Sequence, residues 1–136
     1  MRRMNRRPTN SQRKGAAVVE FAVCLPVILL IVLGSIEASS MLFLRQALVQ
    51  SAYEGAKVAV RPGNTTEQAV NAATQVANGR SLENFTIQVE PQNTDDLASG
   101  EIITVSIFAP GDENSLFPFG PFLNRTVSAS ATMVKE

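Results

Sequence analysis

The chain of 136 residues contains no histidine and only one cysteine, Cys24. Without histidine the sequence lacks the commonest metal ligand and the side chain best suited to acid–base catalysis near neutral pH. A single cysteine cannot form an intrachain disulfide, and we interpret Cys24, which lies in an apolar run, as a small hydrophobic residue. No nucleophile paired with a base can be drawn from the loop residues. The sequence therefore predicts a protein that is not an enzyme and has no cofactor, metal or small-molecule substrate.

Acidic residues are absent from the first 14 positions, although the whole chain has 12 basic and 12 acidic residues. The basic residues that precede Gly15 are Arg2, Arg3, Arg6, Arg7, Arg13 and Lys14. From Gly15 onward 6 basic residues stand against 12 acidic residues, a net charge of −6. A basic cluster can bind nucleic acid through phosphate, but this cluster adjoins an apolar segment, which favours a membrane protein without a nucleic-acid partner.

Charged residues are absent again from Phe21 to Ile36, a run of 16 residues. About 20 apolar residues in a helix cross the hydrocarbon core of a bilayer. The sequence thus predicts a transmembrane helix over residues 16–40. The excess of positive charge before it predicts that residues 1–15 form a cytoplasmic leader and that residues 41–136 are extracytoplasmic.

Helical spacing continues beyond the apolar run. The apolar residues at intervals of three and four are Met41, Leu44, Leu48, Ala52, Ala56 and Ala59. The first clear stop is Arg61-Pro62-Gly63, because the residue before proline disfavours helix and glycine can turn the chain. We therefore predict one helix from about Ala16 to Val60, with residues 41–60 as its extension outside the membrane and a kink at Pro26.

Residues 61–136 predict a short helix followed by an antiparallel sheet. Thr65 with Gln68 three positions later has the spacing of a capping box, and Gly79 is a plausible stop. Alternating side chains predict three strands, over residues 85–90, 103–108 and 127–133, with a solvated loop over 92–100. We expect the extension of the long helix, supported by the short helix, to cover one face of this sheet. The predicted class is α+β.

Two kinds of loop residue remain as candidates for interactions. Phe117, Phe119 and Phe122 lie between prolines and a glycine in residues 116–123, and either pack back onto the sheet or form an exposed patch for a partner subunit. The adjacent acids at 95–96 and 112–113 lack the spacing of a calcium-binding loop, and solvated turn charge is the better interpretation.

Glu20 is an ionisable residue within the predicted transmembrane helix. An ionisable residue in a membrane is costly, so a function with a specific partner is the default hypothesis. The stretch KGAAVVEF, residues 14–21, resembles the type III signal of type IV pilins and pseudopilins. That resemblance implies cleavage by a prepilin peptidase between Gly15 and Ala16, which leaves an ammonium group on Ala16. It also implies that the Glu20 carboxylate pairs with such an ammonium, often on a neighbouring subunit.

A longer segment, from Arg13 to about Val60, is similar to the TadE-like family of minor pseudopilins of the tight-adherence (Tad) pilus. The similarity includes GAAVVEFAVCLPVILLIVLGSIE, with Pro26 inside and Glu37 at its outer end. It also includes Glu54-Gly55-Ala56-Lys57, which resembles the family's E-G-A-R signature with lysine in place of arginine. Glu54, Gly55 and Lys57 are therefore possible partner contacts, although a solvated helical ion pair is an equal alternative for Glu54 and Lys57.

The resemblance implies a single-pass protein of the bacterial inner membrane with a small pilin-like domain outside it. Its partners would be the membrane, a prepilin peptidase, other pilins or pseudopilins and Tad assembly proteins. Two alternatives stay open: an anchored extracytoplasmic binding or adhesion module that is never cut at Gly15, and a secreted domain released by cleavage near the small residues Ala38-Ser39-Ser40.

Overall fold

The computed structural model describes residues 10–94, 96–116 and 124–136, with side chains described from Gly15 onward. Its elements, in chain order, are α1 (Asn10–Ala59), α2 (Thr66–Gly79), β1 (Thr86–Glu90), β2 (Ile102–Pro110) and β3 (Thr126–Val134). The fold is α+β, as predicted. The chain divides into two compact units, an N-terminal unit, Met1–Ile36, and a C-terminal unit, Glu37–Glu136.

The N-terminal unit is formed by the first part of α1. The helix begins at Asn10 rather than near Ala16, because residues 10–14 contain no proline or glycine and nothing local ends it there. It continues through Gly15 and Pro26. Its large apolar side chains, from Val18 to Ile36, are exposed in the isolated chain. Within the described residues α1 is the one helix long and apolar enough to cross a membrane; the kink at Pro26 stays a prediction.

In the C-terminal unit α1 buries the face that its spacing predicted. Leu48, Ala52 and Ala56 are fully buried, and Leu44 is nearly so. Hydrophobic spacing at this period places such residues on one side of a helix. Beyond the last turn Gly63 has a φ of +80°, in the left-handed region that favours glycine, and the chain turns there toward α2.

Helix α2 begins with the predicted capping box. The Thr65 hydroxyl accepts the backbone N–H of Gln68 at 3.3 Å, and the Gln68 side-chain oxygen accepts the backbone N–H of Thr65 at 3.1 Å. One face of the helix consists of small residues, Ala69, Ala73 and Ala77, all fully buried. Small side chains allow neighbouring elements to approach this helix closely.

The three strands form an antiparallel sheet in the order β1-β2-β3. Val105 in the central strand lies opposite Val89 in β1 and Ala131 in β3. Strands β2 and β3 extend beyond their predicted ends, and the inward side chains of β2, including Ile103 and Ile107, are fully buried. The alternation that predicted the strands thus corresponds to one covered and one wet face.

Helix α1 covers the inner face of the sheet, which confirms the predicted packing. Leu44 and Leu48 belong to one core cluster with Ile107, whereas Ala56 and Val60 belong to a second cluster that holds other side chains of β2. That second cluster contains Ile103 and Val105. Earlier residues of α1 thus pack against later residues of β2, and later residues of α1 pack against earlier ones. Helix α1 is therefore antiparallel to β2 and parallel to β3.

The loop between β1 and β2 differs from its prediction. Thr94 is fully buried: its backbone N–H donates to the Thr66 hydroxyl at 3.0 Å, and its carbonyl accepts the Lys135 ammonium at 2.7 Å. The prediction of a solvated loop is wrong at this residue. Its polar partners are 28 and 41 positions away in the chain, so no local pattern could have indicated them.

Candidate functional site: the N-terminal helix and the surface of the C-terminal unit

The segment around the predicted cleavage site lies exposed on α1. Gly15, Ala16 and Glu20 are all accessible, and a Cβ built on Gly15 would meet no described atom within 4 Å outside its own helical backbone. Glu20 follows Ala16 by four residues, which places both on the same side of the helix, one turn apart. Within the described residues the Glu20 carboxyl makes no hydrogen bond or ion pair. The carboxyl is therefore accessible to a group outside the chain.

The Glu54–Lys57 block lies in the C-terminal unit and has two different faces. Glu54 Oε2 lies 3.6 Å from Lys57 Nζ, and both side chains are more than 40% exposed, at 43% and 46%. An exposed pair of this kind contributes about 0–1 kcal/mol to stability. The geometry fits a solvated helical pair. Contact of Glu54 and Lys57 with a partner stays a prediction.

Gly55 faces the interior. A Cβ built on it would lie 3.0 Å from the Cβ of Ala73 and 3.2 Å from the carbonyl oxygen of Ala69, both on α2, and 3.2 Å from a methyl group of Val105. Ordinary carbon contacts lie at about 3.5–4.0 Å. Glycine at this position thus permits α2 to lie directly against α1, a role inside the chain that the resemblance did not indicate.

Glu37 is the first residue of the C-terminal unit and is buried, with 8% of its surface exposed. Its Oε1 accepts the hydroxyl of Ser115 at 2.5 Å, across 78 positions of sequence. Its Oε2 is also buried and has no partner among the described residues. The contact joins α1 to the segment that follows β2. Sequence reasoning recognised Glu37 as the outer end of the apolar run but had no signal for this contact.

The phenylalanine-rich loop and the acidic turns carry less information. Phe117, Phe119 and Phe122 lie outside the described residues, so both alternatives for them stay predictions. In the preceding turn Glu113 bonds the Asn84 side chain, and Asn114 accepts the backbone N–H of Glu83 at 2.9 Å. No group of three metal-ligating side chains occurs in the part of the chain that the structure describes.

Comparison with known proteins relates one part of the chain to a family. Residues 15–57 match the model of the TadE-like proteins. The matched segment begins at Gly15 and ends at Lys57, so it contains Glu20, Pro26 and the Glu54–Lys57 block. The resemblance inferred from the sequence is confirmed for this segment. The searches of curated proteins and of solved structures gave no match.

Proposed function

We propose, from the TadE-like match of residues 15–57, that this protein is a membrane-anchored minor pseudopilin that takes part in assembling a Tad-type pilus or a related secretion filament. The observation that carries the proposal is the exposed Glu20 carboxyl at the start of an apolar helix, which has no partner among the described residues. In this proposal a prepilin peptidase cleaves after Gly15. The N-terminus is cytoplasmic, α1 crosses the bacterial inner membrane, and residues 41–136 are extracytoplasmic.

Cleavage would give Glu20 a partner that it does not have among the described residues of the uncut chain. Hydrolysis of the peptide bond between Gly15 and Ala16 leaves a carboxylate on Gly15 and an ammonium group on Ala16. An unpaired charge in a membrane is costly, whereas a charge paired at close range costs much less. The Glu20 of one subunit can therefore be satisfied by the Ala16 ammonium of itself or of a neighbour, and the second pairing would fix the axial register between subunits.

The two units have different roles in this proposal. The apolar surface of the N-terminal unit contacts lipid before assembly and other apolar helices afterward. Such a surface is suited to both, because van der Waals packing between helices drives much of their association in membranes. The C-terminal unit would supply the specificity for partner subunits and Tad assembly proteins. Glu54 and Lys57 are accessible for that purpose.

Processing is tested by producing the full chain with and without a prepilin peptidase and determining the mature N-terminus by intact mass and terminal sequencing. We expect a chain that begins at Ala16 only when the peptidase is present. Gly15→Val should abolish processing, because it changes the residue at the proposed cut. Gly34→Val is the matched control and should not, because Gly34 lies in the same helix away from the cut and a Cβ built on either glycine meets nothing within 4 Å. A start before Gly15 in the presence of the peptidase would favour an unprocessed anchored binding or adhesion module. A start near Met41 would indicate a secreted domain.

The role of Glu20 is tested by Glu20→Gln, which keeps the size of the side chain and removes its charge. We expect normal membrane insertion, measured by resistance to alkaline extraction, together with loss of co-assembly with the other pilus subunits. Glu67→Gln, at an exposed position on α2, is the matched control and should assemble normally. Assembly of Glu20→Gln at the wild-type level would contradict the proposed pairing.

A further inference from the structure

An open groove of about 610 Å³ lies on the C-terminal unit between α1 and the beginning of β3. We call it the arginine groove, because Arg45 from α1 and Arg125 beside β3 both line it. Met41 and Leu42 of α1 form an apolar part of its wall, and Leu42 is 62% exposed. The groove thus combines two guanidinium groups with an apolar surface, and its volume falls in the range of small-molecule sites.

The two arginines stand out against the charge of their surroundings. From Glu37 to Glu136 the sequence has 6 basic and 11 acidic residues, a net charge of −5. No acidic side chain lines the groove among the described residues, and neither arginine forms an ion pair there. Two like charges that share a groove without counter-charges are mutually unfavourable. The site is therefore electrostatically complementary to an anion, and guanidinium groups bind phosphate particularly well.

Position along the chain indicates where that anion comes from. Glu37 is bonded directly to the last residue of the N-terminal unit, which contains the apolar run. Arg45 follows Glu37 by eight residues of α1, about 12 Å of helix, and helical side chains point back toward the N-terminus. The polar layer of a bilayer extends about 5–7 Å beyond the hydrocarbon on each side. A long arginine side chain at this place reaches that layer while its carbon stem stays on apolar surface.

We propose that the arginine groove binds the headgroup of an anionic phospholipid. Arg45 and Arg125 hold the phosphate, and Met41 and Leu42 lie against the glycerol and the first acyl carbons. The inference rests on the membrane insertion of the proposed function but not on cleavage at Gly15. An acidic segment of a partner protein matches the charge equally well, but it does not account for the apolar wall within two turns of the membrane span.

The test uses the full chain in detergent with equimolar phosphatidylglycerol and phosphatidylcholine, and native mass spectrometry counts the lipids that stay bound. We expect the wild type to retain phosphatidylglycerol preferentially. The double variant Arg45→Gln/Arg125→Gln should lose preference by about fivefold per arginine, the effect of one basic residue near an anionic surface. The matched control Arg61→Gln/Arg80→Gln removes the same charge from exposed arginines outside the groove and should keep the preference.

Three results would overturn the inference: a wild type without preference, a groove variant that keeps it, or a control that loses it equally, which would mean diffuse attraction. A wild type without preference that captures a soluble acidic peptide through the groove would assign the site to a protein partner.

Circular dichroism of each variant must match the wild type. Alkaline extraction separates the two proposals, because a chain that fails to insert contradicts the proposed function, whereas one that inserts without lipid preference contradicts only the groove assignment.

Discussion

Replacement of Gly55 by alanine tests whether the close approach of α1 and α2 holds the C-terminal unit together. The added methyl group would meet the Cβ of Ala73 at 3.0 Å and the carbonyl oxygen of Ala69 at 3.2 Å. Neither atom is the flexible end of a side chain, and both residues are fully buried, so relief requires movement of α2 as a whole. Because the Thr66 hydroxyl at the start of α2 also accepts the backbone N–H of the buried Thr94 at 3.0 Å, that movement is opposed.

Two effects of opposite sign decide the magnitude. Alanine is favoured over glycine inside a helix by about 1 kcal/mol. Forcing an extra methyl group into a well-packed core costs about 1–3 kcal/mol. Taking about 2 kcal/mol for the second effect, Gly55→Ala should lower the free energy of unfolding by about 1 kcal/mol, which corresponds to about 4–8 °C in melting temperature for a unit of this size.

The assay is amide hydrogen exchange of β2 peptides in the full chain in detergent micelles, since exchange of core amides reports the free energy of opening. Gly79→Ala is the control: Gly79 ends α2 with nothing within 4 Å of a built Cβ, so alanine there should leave stability unchanged or raise it by up to about 1 kcal/mol. If Gly55→Ala protects β2 as well as or better than the wild type, the close-packing argument is wrong.

Substitutions at two further residues probe single contacts by the same exchange assay. Thr65→Ala removes the cap of α2 and should cost about 1 kcal/mol, whereas Thr65→Ser keeps the hydroxyl and should recover most of it; equal stability of the two variants would show that the capping box contributes nothing. Ser115→Ala leaves both oxygens of the buried Glu37 carboxyl without a described partner and should cost about 1–3 kcal/mol, with exchange rising first around residue 115; an unchanged profile would refute the contact.

Most of the fold could be predicted because its signals are local. The apolar stripe on α1, the capping box at Thr65 and the alternation in β2 each repeat over a few residues, and burial follows the same periods. Such patterns indicate which face of a helix or strand is apolar and therefore which face must pack against another element. Since the predicted stripe and the predicted inner face of the sheet are both apolar and both lie outside the predicted membrane span, their packing against each other could be predicted as well.

Contacts between polar residues far apart in sequence could not be predicted. The buried Thr94 forms hydrogen bonds with Thr66 and Lys135, and the buried Glu37 forms one with Ser115. Polar residues of these types occur on most surfaces, so composition gives no indication that a particular one is enclosed. The same limit applies to the candidate site: the sequence indicated Glu20 because a carboxylate is rare in an apolar run, but it gave no sign that Arg45 and Arg125 share a groove.

The order of the strands in the chain determines when the sheet can be completed during export. Under the proposed topology the part of α1 after residue 40 leaves the cytoplasm first and β3 leaves it last, yet β3 pairs with the central strand along its whole length. Until residues 126–134 have been translocated, β2 has one open edge, and unpaired edges bind other strands readily. A pause in translocation after residue 110 would leave that edge exposed beside neighbouring subunits. Completion of the unit is therefore tied to the arrival of its final strand.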